Sequence, residues 1–223
     1  MNRILKKGGV ELIAVVVGIT ISLWVDDRKE LNLVKDTNVK TLMSLKNEVR
    51  LRIDYIGRKI KQYDRDIQIG EYVVNNWNQL DYNIVENMTK NDRSIVLTLK
   101  AYRAINLPIS IYNSLNSDGS IAKLKKDSIK VFLNDLYEVI PAHIVDAVEN
   151  ERVLYHSFNE FIIKNYTKIV DDNISGVNMT IYDKFFNDDI VYGYVLEKNH
   201  LRKFILRLIT RYHEKLISFE KLI

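Results

Sequence analysis

Between residues 26 and 56 the sequence contains neither proline nor glycine, and apolar residues return at the period of an α-helix. They stand at Leu31, Val34, Leu42, Leu45, Val49, Ile53, Ile56, Ile60, Tyr63 and Ile67, with Asn38 filling the one gap. The steps of 3 and 4 average about 3.6 residues, the signature of a nearly straight amphipathic helix rather than a supercoiled seam. Asn75-Asn76 and the polar stretch 81–91 mark its end. With only 2 prolines and 8 glycines in 223 residues, there are too few corners for a β-sandwich or barrel. No strand-like alternation of useful length and no internal repeat occurs, so the expected fold class is all-α.

The later helices can be placed from their breakers. A helix from residue 92 or 94 to 105 is closed by Leu107-Pro108, and a short piece over 109–115 precedes the turn signal Asn116-Ser117-Asp118-Gly119. Residues 120–170 read as helical, with Pro141 kinking or splitting them near Val139. A loop is expected over 171–176. The last helix, about 188–222, carries Leu201, Phe204, Ile205, Leu208, Tyr212, Leu216 and Phe219 on one face.

The amino terminus is of another kind. Arg3, Lys6 and Lys7 form a basic leader, residues 1–7, and residues 12–25 carry no charge before Asp26, Asp27, Arg28, Lys29 and Glu30 restore it. Residues 8–25 make about 27 Å of helix at ~1.5 Å per residue, close to the ~30 Å of a hydrocarbon core. No small-x-small cleavage site follows, so the stretch reads as a retained transmembrane helix with Trp24 as an interfacial anchor. Without a breaker after it, this helix continues into the long amphipathic one. The expected architecture is an N-terminal span whose helix joins an antiparallel helical bundle, the soluble domain being residues 26–223. The three basic residues before the span and four within the next twenty do not choose its orientation.

Within the span Glu11, Ala14, Gly18 and Ser22 are spaced 3, 4 and 4 apart and so share one face. Small residues let helix backbones approach closely, while a carboxyl group against lipid costs on the order of 2–3 kcal/mol at mid-depth. Partner helices or water would remove most of that penalty. This face is the candidate oligomer or pore face. The plainer alternative puts Glu11 in the headgroup region of a simple anchor.

The segment Glu11-Leu-Ile-Ala-Val-Val-Val-Gly-Ile-Thr-Ile-Ser-Leu-Trp-Val-Asp-Asp-Arg-Lys-Glu30, with Leu42-Met-Ser-Leu-Lys-Asn-Glu48 after it, resembles a family of uncharacterised bacterial single-span membrane proteins. Members begin with a Gly-Glu-Ile-Leu-Leu-Val-Val-Ile-Gly-Ile-Leu-Ile-Ala-Leu stretch and a polar Asn-Trp or Asp-Trp junction. Glu11 and Gly18 stand where the family has its Glu and Gly. Ile111-Tyr112-Asn113-Ser114-Leu115 with Leu124 and Asp127-Ser128 is similar to its middle region, so the likeness covers most of the chain. This sequence departs in Gly9 before Val10-Glu11, a shorter leader, and Trp24 ahead of the acidic pair. The resemblance implies a membrane-anchored helical domain of unknown activity. The expected location is the bacterial inner membrane, single-pass, with the soluble domain in the cytoplasm, an orientation that the flanking charges do not fix. In architecture it is also similar to the compact membrane effectors of bacterial antiphage systems.

Motifs for chemistry are few. There is no cysteine, which excludes disulfides and thiolate sites, and there is no phosphate loop, nucleophile elbow or His-Glu-x-x-His. Glu197 and His200 have Glu-x-x-His spacing, but no second such motif exists to complete a carboxylate-bridged metal site. The chain therefore reads as a non-enzyme without metal or cofactor. On the last helix Lys203, Arg207, Arg211 and Lys215 recur every fourth position, extended by Lys198 and Arg202. Residues 196–223 hold seven Lys+Arg and three Asp+Glu, a local +4 equal to the net charge of the whole chain. The default for such a strip is a solvated face partly paired with acids such as Asp135, Glu138, Asp146 or Glu149. Its sharper readings are a nucleotide or single-stranded oligonucleotide ligand, or anionic lipid headgroups. Two functions are thus expected to compete. One is a homo-oligomeric, pore-like effector regulated by its helical domain. The other is a passive tether holding an adaptor for partner proteins.

Overall fold

The computed structural model describes the backbone of residues 2–89, 95–169 and 179–223, and side chains from residue 19 onward except 21, 26–27, 30–35, 86, 179 and 180. It is 85% helix, with no strand among the described residues. The helices are α1 Asn2–Asn75, α2 Tyr82–Thr89, α3 Ile95–Lys100, α4 Ser110–Ser117, α5 Asp127–Asn134, α6 Ile140–Asn165, α7 Met179–Phe185 and α8 Asp189–Leu222. A π-helical segment, Asp135–Val139, joins α5 to α6.

The long periodic segment forms one uninterrupted helix of 74 residues. Leu45, Val49, Ile56, Tyr63 and Ile67 are buried on it, and Leu42, Ile53 and Ile60 are half-buried, as their spacing predicts. Asn76 ends it: both its backbone N–H and its side-chain amide donate to the Tyr72 carbonyl oxygen, at 3.1 and 2.8 Å. Helix α8 starts equally sharply. The Asp188 carboxylate accepts from the N–H groups of Ile190 and Val191 at 2.7 and 3.3 Å, filling two of the donors a helix start leaves open.

Helices α1 and α8 form the main pair. Arg50 meets Glu220 at 2.6 Å, Gly57 lies beside His213, Gly70 beside Asn199, and Lys203 meets Glu71 at 2.8 Å. One number falls as the other rises. At Gly70 the approach is so close that an added Cβ would sit 2.8 Å from Asn199 Oδ1. Two apolar clusters fill the interior. One gathers Leu45, Ile56, Leu133, Ile144, Ile209 and Phe219; the other gathers Val73, Trp77, Phe158, Phe185, Val191 and Val195.

Several expectations need correction. The helix expected to reach residue 105 stops at Lys100. The carbonyl oxygens of Ala101, Ala104 and Pro108 accept from Arg202, Lys59 and Arg52, so the next stretch is held by side chains from α1 and α8. The polar stretch after Asn76 contains a helix, α2, started by Asp81, whose carboxylate accepts from the N–H of Asn83 at 2.9 Å. Helicity after residue 120 resumes only at Asp127. The disturbance due to Pro141 takes the form of the π-helical segment. On α8 the buried face is rotated: Phe204 is 45% exposed and Leu201 and Leu208 are half-buried, while Lys198 and Arg202 are buried. The expected loop over 171–176 lies outside the described residues. Among the described residues no helix is long and apolar enough to cross a membrane. The side chains of residues 8–18, most of the expected span, lie outside them.

Candidate functional site

Between the two apolar clusters lies a layer of buried charge. Asp66 stands on α1, Arg103 after α3, Glu151 on α6, and Lys198 and Arg202 on α8, and each is at most 8% exposed. The periodicities that build the core place them here. Asp66 lies between core residues Tyr63 and Ile69 on α1, Glu151 between Val148 and Phe158 on α6, and Lys198 and Arg202 between Val195 and Ile205 on α8. Each helix thus crosses from one cluster to the other through a charged turn.

The pairing is nearly complete. Arg103 holds Asp66 with two parallel bonds, Nε to Oδ2 at 2.7 Å and Nη2 to Oδ1 at 2.8 Å, a bidentate fork that keeps the Arg103 guanidinium firmly protonated. Arg202 donates from Nε to Glu151 Oε1 at 3.1 Å and from Nη2 to the Thr98 and Ala101 carbonyl oxygens at 2.9 and 2.7 Å. Tyr63 donates its hydroxyl to Glu151 Oε2 at 2.9 Å, and burial beside that carboxylate pushes its pKa well up. Two carboxylates therefore balance two guanidiniums.

Lys198 is the surplus. Its Nζ is 3.7 Å from Glu151 Oε1, beyond hydrogen-bond length, and has no hydrogen-bond partner. It lies 5.9 Å from the centre of the Tyr155 ring. Burial, with the Arg202 charge beside it, pushes its pKa down to about 7 against the pull of Glu151. A layer neutral with Lys198 deprotonated gains one buried charge when it protonates. Buried ion pairs of this kind add little net stability over apolar residues, yet losing one partner is costly. Through Arg202 of α8 the layer joins Glu151 of α6, at 3.1 Å, to Asp66 of α1, at 4.0 Å.

A second polar centre lies deeper in the first cluster. Arg52, fully buried, donates to the carbonyl oxygens of Pro108 and Leu136 at 2.5 and 2.9 Å and covers the Tyr137 ring at 3.8 Å. Glu48 accepts from the N–H groups of Ile111 and Tyr112 at 2.7 and 3.1 Å, so α1 supplies the carboxylate that caps α4.

The residues expected to act are distributed differently. The side chains of Glu11, Ala14 and Gly18 lie outside the described residues, and Ser22 is exposed. Of the basic strip, Lys203 pairs with Glu71 on α1 and Lys215 with Asp135 at 3.3 Å. Arg207 and Arg211 between them face solvent, Arg207 with its guanidinium carbon 5.9 Å from the Phe204 ring centre. The four are not brought together. Lys198 and Arg202, expected to lengthen the strip, point into the core instead. Glu197 and His200 are both exposed, and no metal-binding cluster is found among the described residues. A cleft of about 540 Å³ where α1 ends and α8 begins is lined by Asn75, Asn76, Trp77, Gln79, Asp189 and Tyr192. It carries a carboxylate and no cation, which does not suit an anion.

Sequence reasoning missed the charged layer. Its signal on α1 was Asp66, buried beside Ile67 of the apolar row, as Glu48 and Arg52 were the signal of the second polar centre. Comparison with known proteins gives no matching family model, curated protein or solved structure.

Proposed function

We propose that the chain is a homo-oligomeric single-span membrane protein, in which residues 8–25 form a pore-like element and an antiparallel helical bundle regulates it. The observation that carries this reading is the continuity of α1, one helix from Asn2 to Asn75. The apolar amino-terminal stretch and Asp66 belong to the same rod, so a rearrangement of the charged layer turns or shifts the stretch with it. Glu11, Ala14, Gly18 and Ser22 are its proposed contact face, because small residues permit close packing and a carboxyl group needs company other than lipid. Exposed Arg207 and Arg211 are the remaining candidates for an anionic ligand, whether nucleotide, oligonucleotide or lipid headgroup. A role in antiphage defence rests on the architectural likeness alone.

Conductance across liposomes holding the purified full chain tests this reading. A current that Glu11→Gln and Gly18→Leu each reduce supports it, and a current indifferent to both contradicts it. The tether reading draws on apolar residues that α6 shows to solvent, Val145, Val153 and Ile163, each at least 50% exposed. It predicts that an unrelated span of equal length replaces residues 8–25 without loss.

A further inference from the structure

We propose that the cleft between the end of α1 and the start of α8 binds a small organic cation, one that carries ammonium groups on a short alkyl chain. The site lies at the opposite end of α1 from residues 8–25 and does not depend on them. Its volume, about 540 Å³, is that of a small-molecule site. Asn75, Asn78 and Gln79, all exposed, bring side-chain carboxamides to its wall from α1 and the turn after it. Asp189 and half-buried Tyr192 face them from α8, and Trp77 lies between.

Charge selects a cation. Asp189 is the one charged residue of the lining, and it makes no ion pair among the described residues. A helix C-terminus adds roughly half a negative charge, which a Lys or Arg in the last turn commonly answers; α1 has none there. The Asn76 N–H returns to the Tyr72 carbonyl oxygen and the Gln79 N–H to that of Asn76. The carbonyl oxygens of Val74 and Asn75 therefore have no backbone donor among the described residues. The positive end of α8 is already answered by Asp188, whose carboxylate accepts from the Ile190 and Val191 N–H groups, so Asp189 is surplus. One carboxylate is too few for a metal ion, and no metal-binding cluster is found among the described residues. Amide oxygens, by contrast, accept readily from an ammonium group. The Trp77 and Tyr192 rings, centres 5.2 Å apart at 65°, add aromatic surface, which attracts an ammonium within about 6 Å. A carboxylate, amide oxygens and rings in one cleft are the groups that hold an alkylammonium.

Tryptophan occurs only at positions 24 and 77, so Trp24→Phe leaves Trp77 as a reporter in the wall of the cleft. The full-length Trp24→Phe protein is titrated in detergent with putrescine, and separately with butanediol and succinate, which share its carbon chain without its positive charge. The expected result is a saturable change in Trp77 emission with putrescine alone. Asp189→Asn should raise the half-saturating concentration several-fold, and Asn78→Lys, which places a cation in the cleft, should abolish the change. Calorimetry on the native chain reads the same binding without a fluorophore, and there raising the salt concentration should weaken it. No saturable signal by either method overturns the proposal. So does an equal response to butanediol, which would make the cleft a site for hydroxyl compounds. A putrescine affinity indifferent to salt, or unchanged by both substitutions, overturns it as well.

Discussion

Arg52 donates from Nη1 to the carbonyl oxygen of Leu136 at 2.9 Å, and that oxygen is available because of a proline four residues further on from Tyr137. In the π-helical segment Ile140 N–H bonds the Asp135 oxygen, five residues back. The next donor in that register would be residue 141, a proline without an N–H. Leu136 is left with an open acceptor, which Arg52 and the Tyr212 hydroxyl, also at 2.9 Å, both fill. Arg52→Leu is therefore expected to cost about 1–3 kcal/mol, as the Pro108 carbonyl oxygen loses a buried donor and that of Leu136 loses one of two. Pro141→Ala restores a donor. In a double-mutant cycle by urea unfolding, the cost of Arg52→Leu should be at least about 0.5 kcal/mol smaller in the Pro141→Ala background. Additive costs would show that the proline and the arginine are unrelated.

The charged layer and the surface strip should respond very differently to substitution. Glu151→Gln keeps the shape but removes the carboxylate that Arg202 bonds at 3.1 Å and leaves it only Asp66, 4.0 Å away and already held by Arg103, with an expected loss of about 3–5 kcal/mol. Lys215→Ala removes an exposed pair with Asp135 and should change stability by less than about 1 kcal/mol. Chemical denaturation of the two variants side by side checks this contrast.

Lys198 makes stability depend on pH in a definite direction. Its pKa is about 7 folded against 10.5 unfolded, so between these values the unfolded chain holds a proton that the folded chain lacks. The destabilisation is complete below pH 7 and is relieved as pH rises. Half-buried Lys59, also pushed down by burial, acts in the same sense. Above about pH 10 Tyr63 reverses the trend, because its raised pKa keeps a proton that the unfolded chain releases. Stability should thus climb between pH 7 and 10. Lys198→Met should be more stable than the native chain at pH 7 and show a shallower climb. Equal slopes for the two proteins would place the titration elsewhere.

Gly70 lies where α1 and α8 approach closely. Gly70→Ala would press a methyl carbon against Asn199, which is itself 5% exposed and has little room to turn. An expected loss of about 1–3 kcal/mol follows from overpacking, despite the better helix propensity of alanine. A melting temperature equal to or above that of the native chain would contradict the close packing.

Helix positions were legible where one pattern acted alone. The apolar row from Leu42 to Ile67, the stop at Asn75-Asn76 and the Asp188 start of α8 each follow from local rules. The buried face of α8 was not legible from hydropathy, because Lys198 and Arg202 occupy core turns and displace Phe204 to the surface. Their burial depends on Glu151, 51 residues before Arg202, and on Asp66, on a third helix; periodicity within one helix carries no record of such partners. The end of α3 at Lys100 was hidden for the same reason, since the carbonyl oxygens after it bond to side chains distant in sequence.

The particle mass of the full-length protein in detergent tests the central claim most directly. The account predicts a discrete oligomer that Gly18→Leu dissociates while the helical content of the domain is retained. A monomer at every protein concentration, or an oligomer that Gly18→Leu leaves intact, would contradict it.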